Sequence, residues 1–496
     1  MSISKRRLPQ LLLLAVGLAA ATPARAIPPF ARKYGTSCLT CHTVYPKLTP
    51  FGEAFRRNGY RFPGVDSDYV KQGTVALGQE ANKKSFPAAV WPAVIPDSVP
   101  IGVGFNGSLR TFPDKTATDP RGSNGRQFSF DDLVAEGHLW LGAALSDTTT
   151  LWGELTLGDG QPVSVEHAQV LFNDVVGPAH WVNVVVGKGF VTLSSFGPHS
   201  SYAADVQIPS LPVTAMGGTA AAGGAVTPLG AGLNLLDSYK GVEVNGVVDG
   251  RFNYAVGVSG SNGVPGFNSE NWYGSAGFKV GGMRLDGEGD SGPKDSMRPW
   301  AEEALTLHGF AYHSNEHFAD ALGLGPTSND VSLTVGGGLR AQYGSAELDL
   351  GYYTQSHSRG NVAWDAAAGS LAYTKVTGDA LYGELSYVVY PWLVPVLRVE
   401  QVGLKPSGGT RVTDLHLMPA LAFLIRPDMK VVLAGNVEMA NGFPTVPDPA
   451  GNPVPVAWQG GSADWGAIGI GPTPTSLGTS KMSELESVNV FFAWAL

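Results

Sequence analysis

The chain carries 496 residues, a formal net charge of −9, only 15% charged residues, 10% aromatics and 65 glycines. Its two cysteines exclude a disulfide framework if both are otherwise employed, and beyond the amino-terminal leader no stretch supplies the ~18 consecutive apolar residues of a membrane helix. A soluble chain of this length would divide into domains of roughly 150 residues, but so much glycine and so little charge argue against that, and no nucleic-acid partner is expected.

Lys5, Arg6 and Arg7 precede the apolar run LLLLAVGLAAA, and Ala24-Arg25-Ala26 forms a small-x-small cleavage site. Residues 1–26 therefore read as a secretory signal peptide. The run is too short to span ~30 Å of hydrocarbon, and the mature chain is expected to begin near Ile27.

Both cysteines fall in Cys38-Leu39-Thr40-Cys41-His42, a C-x-x-C-H box. Two thiols three positions apart on one turn can each form a thioether with a haem vinyl, and the next residue presents its imidazole to the iron. Cys38 and Cys41 are thus the expected attachment points of one haem c, with His42 as proximal ligand. A thioredoxin-like site would need a βαβ context and a structural zinc site a fourth ligand, and neither is supplied here. Downstream, Thr49 can cap a short helix with Pro50 at its first position. Phe51, Ala54 and Phe55 share a face of that helix and Gly59 ends it.

Residues 27–95 form the expected monohaem segment, a plug with nine Lys and Arg against four Asp and Glu. Between His42 and Gly137 there is neither histidine nor methionine. The segment cannot complete an axial pair of those types itself, so the iron is five-coordinate, unusually ligated, or capped from the rest of the chain.

From residue 96 onward the period changes to two. In IGVGFNGSLRT, Ile101, Val103, Phe105 and Leu109 alternate with small or polar residues, and VSLTVGGGLRAQY repeats the pattern. Asp249-Gly250, between two such runs, is a pair favoured in tight hairpins. Strands of ~9 to 13 residues are expected to start near 101, 131, 149, 163, 181, 239, 251, 272, 303, 331, 345, 380, 392, 412, 429 and 487, in keeping with a barrel.

Long connections are expected at 190–238, 356–379 and 440–486, with tight ones at Asp249-Gly250, Gly344 and Arg426-Pro427-Asp428. The short link near 159–162 and the long one near 283–302 break that alternation. The last run places Val488, Val490, Phe492, Trp494 and Leu496 on one face, suited to a lipid-facing strand with an aromatic girdle. The fold class is all-β: an outer-membrane antiparallel β-barrel of about 16 strands over residues 96–496, preceded by a small helical c-type haem segment. A soluble sandwich or propeller would show a buried apolar core and repeats of fixed period, and no such repeat is seen.

The box and its flank, FARKYGTSCLTCHTVYPKLTPFGEAFRRNGY, resemble the fused outer-membrane cytochrome-porins of iron-oxidising bacteria. The resemblance covers some thirty residues; the remainder agrees in length and pattern. It implies a monohaem segment in or against the pore of a sixteen-stranded barrel. The implied role is carrying electrons between an extracellular donor, ferrous iron among the candidates, and a periplasmic cytochrome or other carrier. Lipid of the outer membrane is then a partner, and the haem segment is periplasmic or inside the lumen.

A distal iron ligand must face the lumen. His138 shares its strand face with Glu136 and Trp140 and leads the candidates, followed by His308, His416 and Met418. His313-Ser314-Asn315-Glu316-His317 matches the H-x-x-E-H of inverted zinc peptidases, which need a helix. Here it follows an expected strand, in an expected external loop. Two further functions stay open: a passive solute porin with a structural haem plug, and a haem enzyme such as a peroxidase.

Overall fold

The computed structural model describes residues 29–63, 101–112, 127–129, 136–146, 148–158, 163–190, 200–202, 215–220, 226–231, 238–260, 271–288, 298–318, 328–365, 370–407, 411–441 and 484–495. Short pieces at 70, 74–76, 84–85, 94–96, 445–447 and 453–455 complete them. The expected signal peptide, residues 1–26, lies outside the described residues, as does most of 64–100.

The barrel strands are β1 (Ile101–Phe112), β2 (Glu136–Ser146), β3 (Thr149–Gly158), β4 (Ser164–Phe172), β5 (Asn183–Phe190), β6 (Ser238–Val248), β7 (Phe252–Ser259) and β8 (Asn271–Gly281). They continue as β9 (Glu302–Phe318), β10 (Ser328–Gly344), β11 (Ala346–Asp365), β12 (Ser370–Tyr387), β13 (Leu393–Pro406), β14 (Val412–Arg426), β15 (Met429–Asn441) and β16 (Glu484–Ala495). Each pairs antiparallel with its neighbours, and β16 closes on β1 through Val490↔Leu109 and Trp494↔Phe105. Gln127–Ser129 extends the pairing on β1 ahead of β2 and is counted with it.

Alternation along each strand separates two solvents. On β7, Ala255 is fully buried, whereas Val256 and Val258 are 59% and 58% exposed. The exposed large residues, such as Trp272, Phe278 and Val280 on β8 or Leu305 and Leu307 on β9, stand on the outer wall. Buried charges, including Arg340, Glu347, Asp349 and Arg398, point into the lumen. An apolar exterior around a polar interior is the inverse of a water-soluble core and suits a wall in lipid. Exposed Tyr343, Tyr387, Tyr390 and Trp392 cluster by the β10–β11 and β12–β13 turns as an aromatic rim.

An even strand number brings residues 101 and 495 to the same mouth, here the terminal mouth. Asp249 and Gly250 turn there with φ of 51° and 66°, the pair of positive values that a type I′ hairpin requires. The start expected near 131 lies outside the described residues, the strand being described from Glu136; that expected near 380 is displaced to Ser370, and the rest fall within three residues. The stretch 356–379 is not a long loop: β11 and β12 run on as a paired hairpin to Asp365↔Ser370. Beyond the lipid band neither strand face has to be apolar, so hydropathy carries no period there.

The amino-terminal segment lies inside the terminal mouth. It comprises α1 (Pro29–Tyr34), a 3₁₀ turn at Cys38–Thr40, the paired short strands His42–Val44 and Lys47–Leu48, and α2 (Pro50–Arg57). Thr49 caps α2, its Oγ1 accepting from the Gly52 amide at 3.0 Å, and Phe51, Ala54 and Phe55 are buried as the spacing predicts. Thr49→Ala should therefore cost ~1 kcal/mol of local stability. The check is amide exchange in α2, which should quicken about fivefold while the barrel strands stay unchanged.

Two connections at the terminal mouth are longer than hairpins require, and both hold this segment. Arg61 pairs with Asp174 at 2.8 Å in 173–182, and Asn58 donates to the Asp286 carbonyl at 2.7 Å in 282–301. Thr150 Oγ1 donates to the Gly59 carbonyl at 2.7 Å, and the Tyr45 amide to the Pro427 carbonyl at 2.8 Å. Val44 is fully buried against an apolar sector of the inner wall that includes Val394, Met418, Ala422 and Phe491. The lumen is apolar in this sector because the segment, and not water, covers it.

The segment is basic, with nine Lys and Arg against four Asp and Glu over residues 27–95, yet its ion pairs with the wall run in both directions. Lys47 meets Glu347 at 2.5 Å, but Arg340 of the wall meets Glu53 of α2 at 2.5 Å. For Glu53, burial alone would raise the carboxyl pKa, but Arg340 and then Arg57 hold it well below the ordinary range. For Asp174, burial is outweighed by the His180 amide and Arg61, and the pKa is again lowered. A carboxylate depressed on folding adds stability above its unfolded pKa and loses it as pH falls through the folded one. The segment should stay seated at neutral pH and loosen below about pH 4, seen as faster α2 exchange after correction for intrinsic rates. Unchanged protection at pH 3 would contradict this.

Candidate functional site

The cysteine box is shaped by its own backbone. Ser37 caps the 3₁₀ turn, its Oγ accepting from the Leu39 amide, and the Cys41 amide donates to the Cys38 carbonyl at 3.1 Å. Both thiols are free and half-buried. Burial pushes the Cys41 thiol up to about 12, and burial together with the Asp428 carboxylate raises that of Cys38. Neither is the poised thiolate that a dithiol redox motif needs. Burial also pulls the His42 imidazole down to about 4, which the carbonyls of Pro46 and Lys47 oppose only in part. His42 is thus neutral at physiological pH, and its buried Nδ1 reaches no hydrogen-bond partner among the described residues.

Helix α2 is clamped to this box. Thr49 Oγ1 donates to the Thr40 carbonyl at 2.9 Å and the Thr49 amide to the Cys41 carbonyl at 2.9 Å. Gly52 packs so closely that a Cβ there would stand 1.9 Å from the Cys41 oxygen. Around the helix, Phe30, Tyr34, Phe51, Phe55, Tyr60 and Phe62 interlock, with ring centroids 4.1 to 6.0 Å apart. Phe30 also closes on the wall, where a Cβ at Gly142 would lie 2.8 Å from its ring.

A cavity of about 580 Å³ opens beside the box, bordered by Cys38, Cys41 and His42 on one side. It continues past Trp140 and Trp152 to Glu166 and Ser259, residues near the far ends of β4 and β7. His138 lines it, as expected. Its Nδ1 lies 2.9 Å from Glu154 Oε1, and its Nε2 is 3.2 Å from Asn106 and 3.6 Å from Glu136. A stacked Trp140 backs the ring at 5.8 Å.

Sequence reasoning missed His167, whose Nδ1 hydrogen-bonds the other Glu154 oxygen at 2.9 Å and which lines the same cavity. The signal in TLWGELTLG was legible, since Trp152, Glu154 and Thr156 alternate with outward residues. The β3–β4 irregularity between Glu154 and Leu155 pairs His167 with Glu154, and no single-strand pattern records it. His308, His416 and Met418 do not border the cavity; Met418 packs in the apolar sector under Val44. His313–His317 lies within β9 and not in an external loop, and His313 stacks on Trp272 at 4.9 Å. A strand cannot present the helical zinc motif, and among the described residues no group of three or more His, Cys, Asp or Glu is placed to hold a metal ion.

Across the lumen, Ser200–Tyr202 of the β5–β6 connection fold inward against the segment. The Lys47 ammonium donates to the Ser200 carbonyl at 2.5 Å and lies 4.5 Å from the Tyr202 ring. Ser201 donates to Glu384, which also holds Arg398 at 2.5 Å.

No family model and no curated protein matches this chain. Among solved structures, the anion-selective porin from Comamonas acidovorans is similar at 12% identity and a TM-score of 0.47, over 80% of this chain and 98% of that one. OmpT of Vibrio cholerae matches at 11% identity and 0.46, over 85% and 99%. Pseudomonas putida OprB matches at 10% and 0.44, over 80% and 94%. On its own geometry the chain is a closed sixteen-stranded antiparallel barrel with an apolar outer wall and a folded segment inside its lumen. Two free thiols and a neutral histidine of that segment face a continuous cavity.

Proposed function

We propose that this protein is an outer-membrane electron conduit. It carries one covalent haem c on Cys38 and Cys41, with His42 as proximal iron ligand, and passes electrons between an extracellular donor, ferrous iron among the candidates, and a periplasmic carrier. The observation that carries this reading is the seat of the C-x-x-C-H box: inside one mouth of the barrel, beside a cavity that runs along the wall toward the other. Hydrocarbon ~30 Å thick insulates, so a redox group must lie within the wall to serve both faces.

The residues present suit the group. Two half-buried thiols one turn apart, a neutral imidazole with an unpartnered nitrogen, and a cavity within the roughly 300–1,000 Å³ of small-molecule sites support it. When bound, the haem supplies one-electron redox chemistry. The chain's own part is to orient it: Thr49 and Gly52 hold the box on α2, and the ring cluster around Phe55 excludes water from one side. His138 is the proposed distal ligand, with Glu154 beside Nδ1 to fix its orientation as carboxylates do for ligating histidines. His138→Ala should shift the visible spectrum, and a spectrum unchanged by it but changed by His167→Ala would transfer the role.

The deciding experiment follows haem absorbance in intact cells that hold no other outer-membrane cytochrome. A membrane-impermeant reductant and then ferrous iron are added, with Cys38→Ser/Cys41→Ser as the haem-free control. Rapid reduction by both supports the iron conduit, and reduction by the first alone keeps the conduit and removes iron. No reduction until the cells are broken would end this reading in favour of a periplasm-facing haem.

A further inference from the structure

We infer that Arg56 binds a carboxylate of the covalently attached haem and so sets which edge of the ring faces α2; this rests on the haem reading above. Arg56 and Arg57 sit in the last turn of α2 and both line the cavity that Cys38, Cys41 and His42 border. The Nε of each is buried without a hydrogen-bond partner among the described residues. Arg57 has Glu53 at 3.9 Å, and Glu53 is itself held by Arg340. The Arg56 side chain has no ion pair or hydrogen bond among the described residues. A guanidinium turned into a cavity with an unused donor fork is built for an anion, and carboxylates take it in parallel bonds.

The cavity's other charges give the direction. Glu136, Glu154, Glu166 and Glu243 also line the cavity, so an anionic edge is repelled by them and drawn toward the arginines of α2. Thioethers at Cys38 and Cys41 fix the vinyl side of a haem at the box, and its two propionates project from the other side. Among the described residues, Arg56 and Arg57 are the cations the segment offers to that cavity.

The test is the midpoint potential of the haem-loaded, full-length protein in detergent, titrated by visible absorbance. Removing a cation beside the ring disfavours the more electron-rich ferrous state. Arg56→Gln should therefore lower the potential by about a tenfold shift in the reduced-to-oxidised ratio, ~59 mV for one electron. Arg57→Gln should move it less, because Glu53 already offsets that charge. Arg411→Gln removes the same charge from a residue paired with Asp379, outside the cavity, and should leave the potential in place. Arg56→Lys keeps the charge without the fork and should fall between wild type and Arg56→Gln. If Arg56→Gln fails to retain haem, Arg56→Lys carries the test, and a wild-type potential in it would overturn the inference. Equal potentials in wild type, Arg56→Gln and Arg411→Gln would also overturn it and leave the conduit standing. A wild-type chain that carries no covalent haem would remove both.

Discussion

Arg340→Met should unseat the amino-terminal segment and raise the conductance of the barrel in planar bilayers several-fold. Arg340 is buried on β10 and serves three carboxylates: Glu53 of α2 at 2.5 Å, Glu347 at 3.0 Å and Asp349 at 3.9 Å. Lys47, from the segment, is the further cation on Glu347. Removing one partner from a buried cluster leaves uncompensated charge and costs about 3–5 kcal/mol. In a soluble core that cost would unfold the protein. Here the lumen offers a cheaper relief, because displacing the segment lets water reach Glu53, Glu347 and Asp349 while every barrel ladder stays paired. Single-channel current is the direct readout, and Arg340→Lys should lie between the two. A wild-type current in Arg340→Met would mean that the Arg61–Asp174, Asn58–Asp286 and Tyr45–Pro427 contacts suffice.

Under the haem reading proposed above, Gly52→Ala is expected to abolish most covalent haem attachment while the barrel assembles normally. A methyl group there would meet the Cys41 carbonyl oxygen at 1.9 Å, and the obstacle is backbone, so no side-chain rotation relieves it. Either α2 moves off the box or the Cys38–Thr40 turn deforms, and both break the Thr49 bonds to Thr40 and Cys41. Overpacking of this kind costs ~1–3 kcal/mol, concentrated where the two thiols must be held one turn apart. Covalent haem is scored by its absorbance in the denatured chain, and barrel assembly by heat-modifiable migration. Full haem content in Gly52→Ala would refute the claim that the clamp positions the box. Accelerated amide exchange in α2 would report the clamp even if no haem were present in wild type.

Much of the barrel was legible because lipid and lumen are different solvents and a pleated strand presents one side chain to each in turn. Runs such as Val331, Leu333 and Val335 record that division residue by residue. Where neither solvent boundary applies, as in Ser356–Asp365 and Ser370–Asp379, strands form without the record and were read as loop. The site was legible to the extent that it is local. The C-x-x-C-H box, the Thr49 cap and the buried face Phe51–Ala54–Phe55 are properties of one turn or one helix. His138 was ranked by its face alone, and the structure puts it on the cavity.

What lay beyond reach is what barrel closure brings together. Glu154 stands between His138 and His167 because strands on either side of β3 converge and the β3–β4 register slips between Glu154 and Leu155. Glu53 finds Arg340 across 287 positions of sequence, and Lys47 finds Glu347 across 300. The long link near 283–302 broke the expected loop alternation, and its Asp286 carbonyl holds Asn58, just as Asp174 in 173–182 holds Arg61. The sequence by itself therefore determined the spacing of the box and the two-sided wall, since both are written in spacing and hydropathy over a few residues. Only the tertiary structure decided where the segment sits, which charges secure it and which cavity it faces, because those depend on surfaces that meet only after the sheet has curled shut.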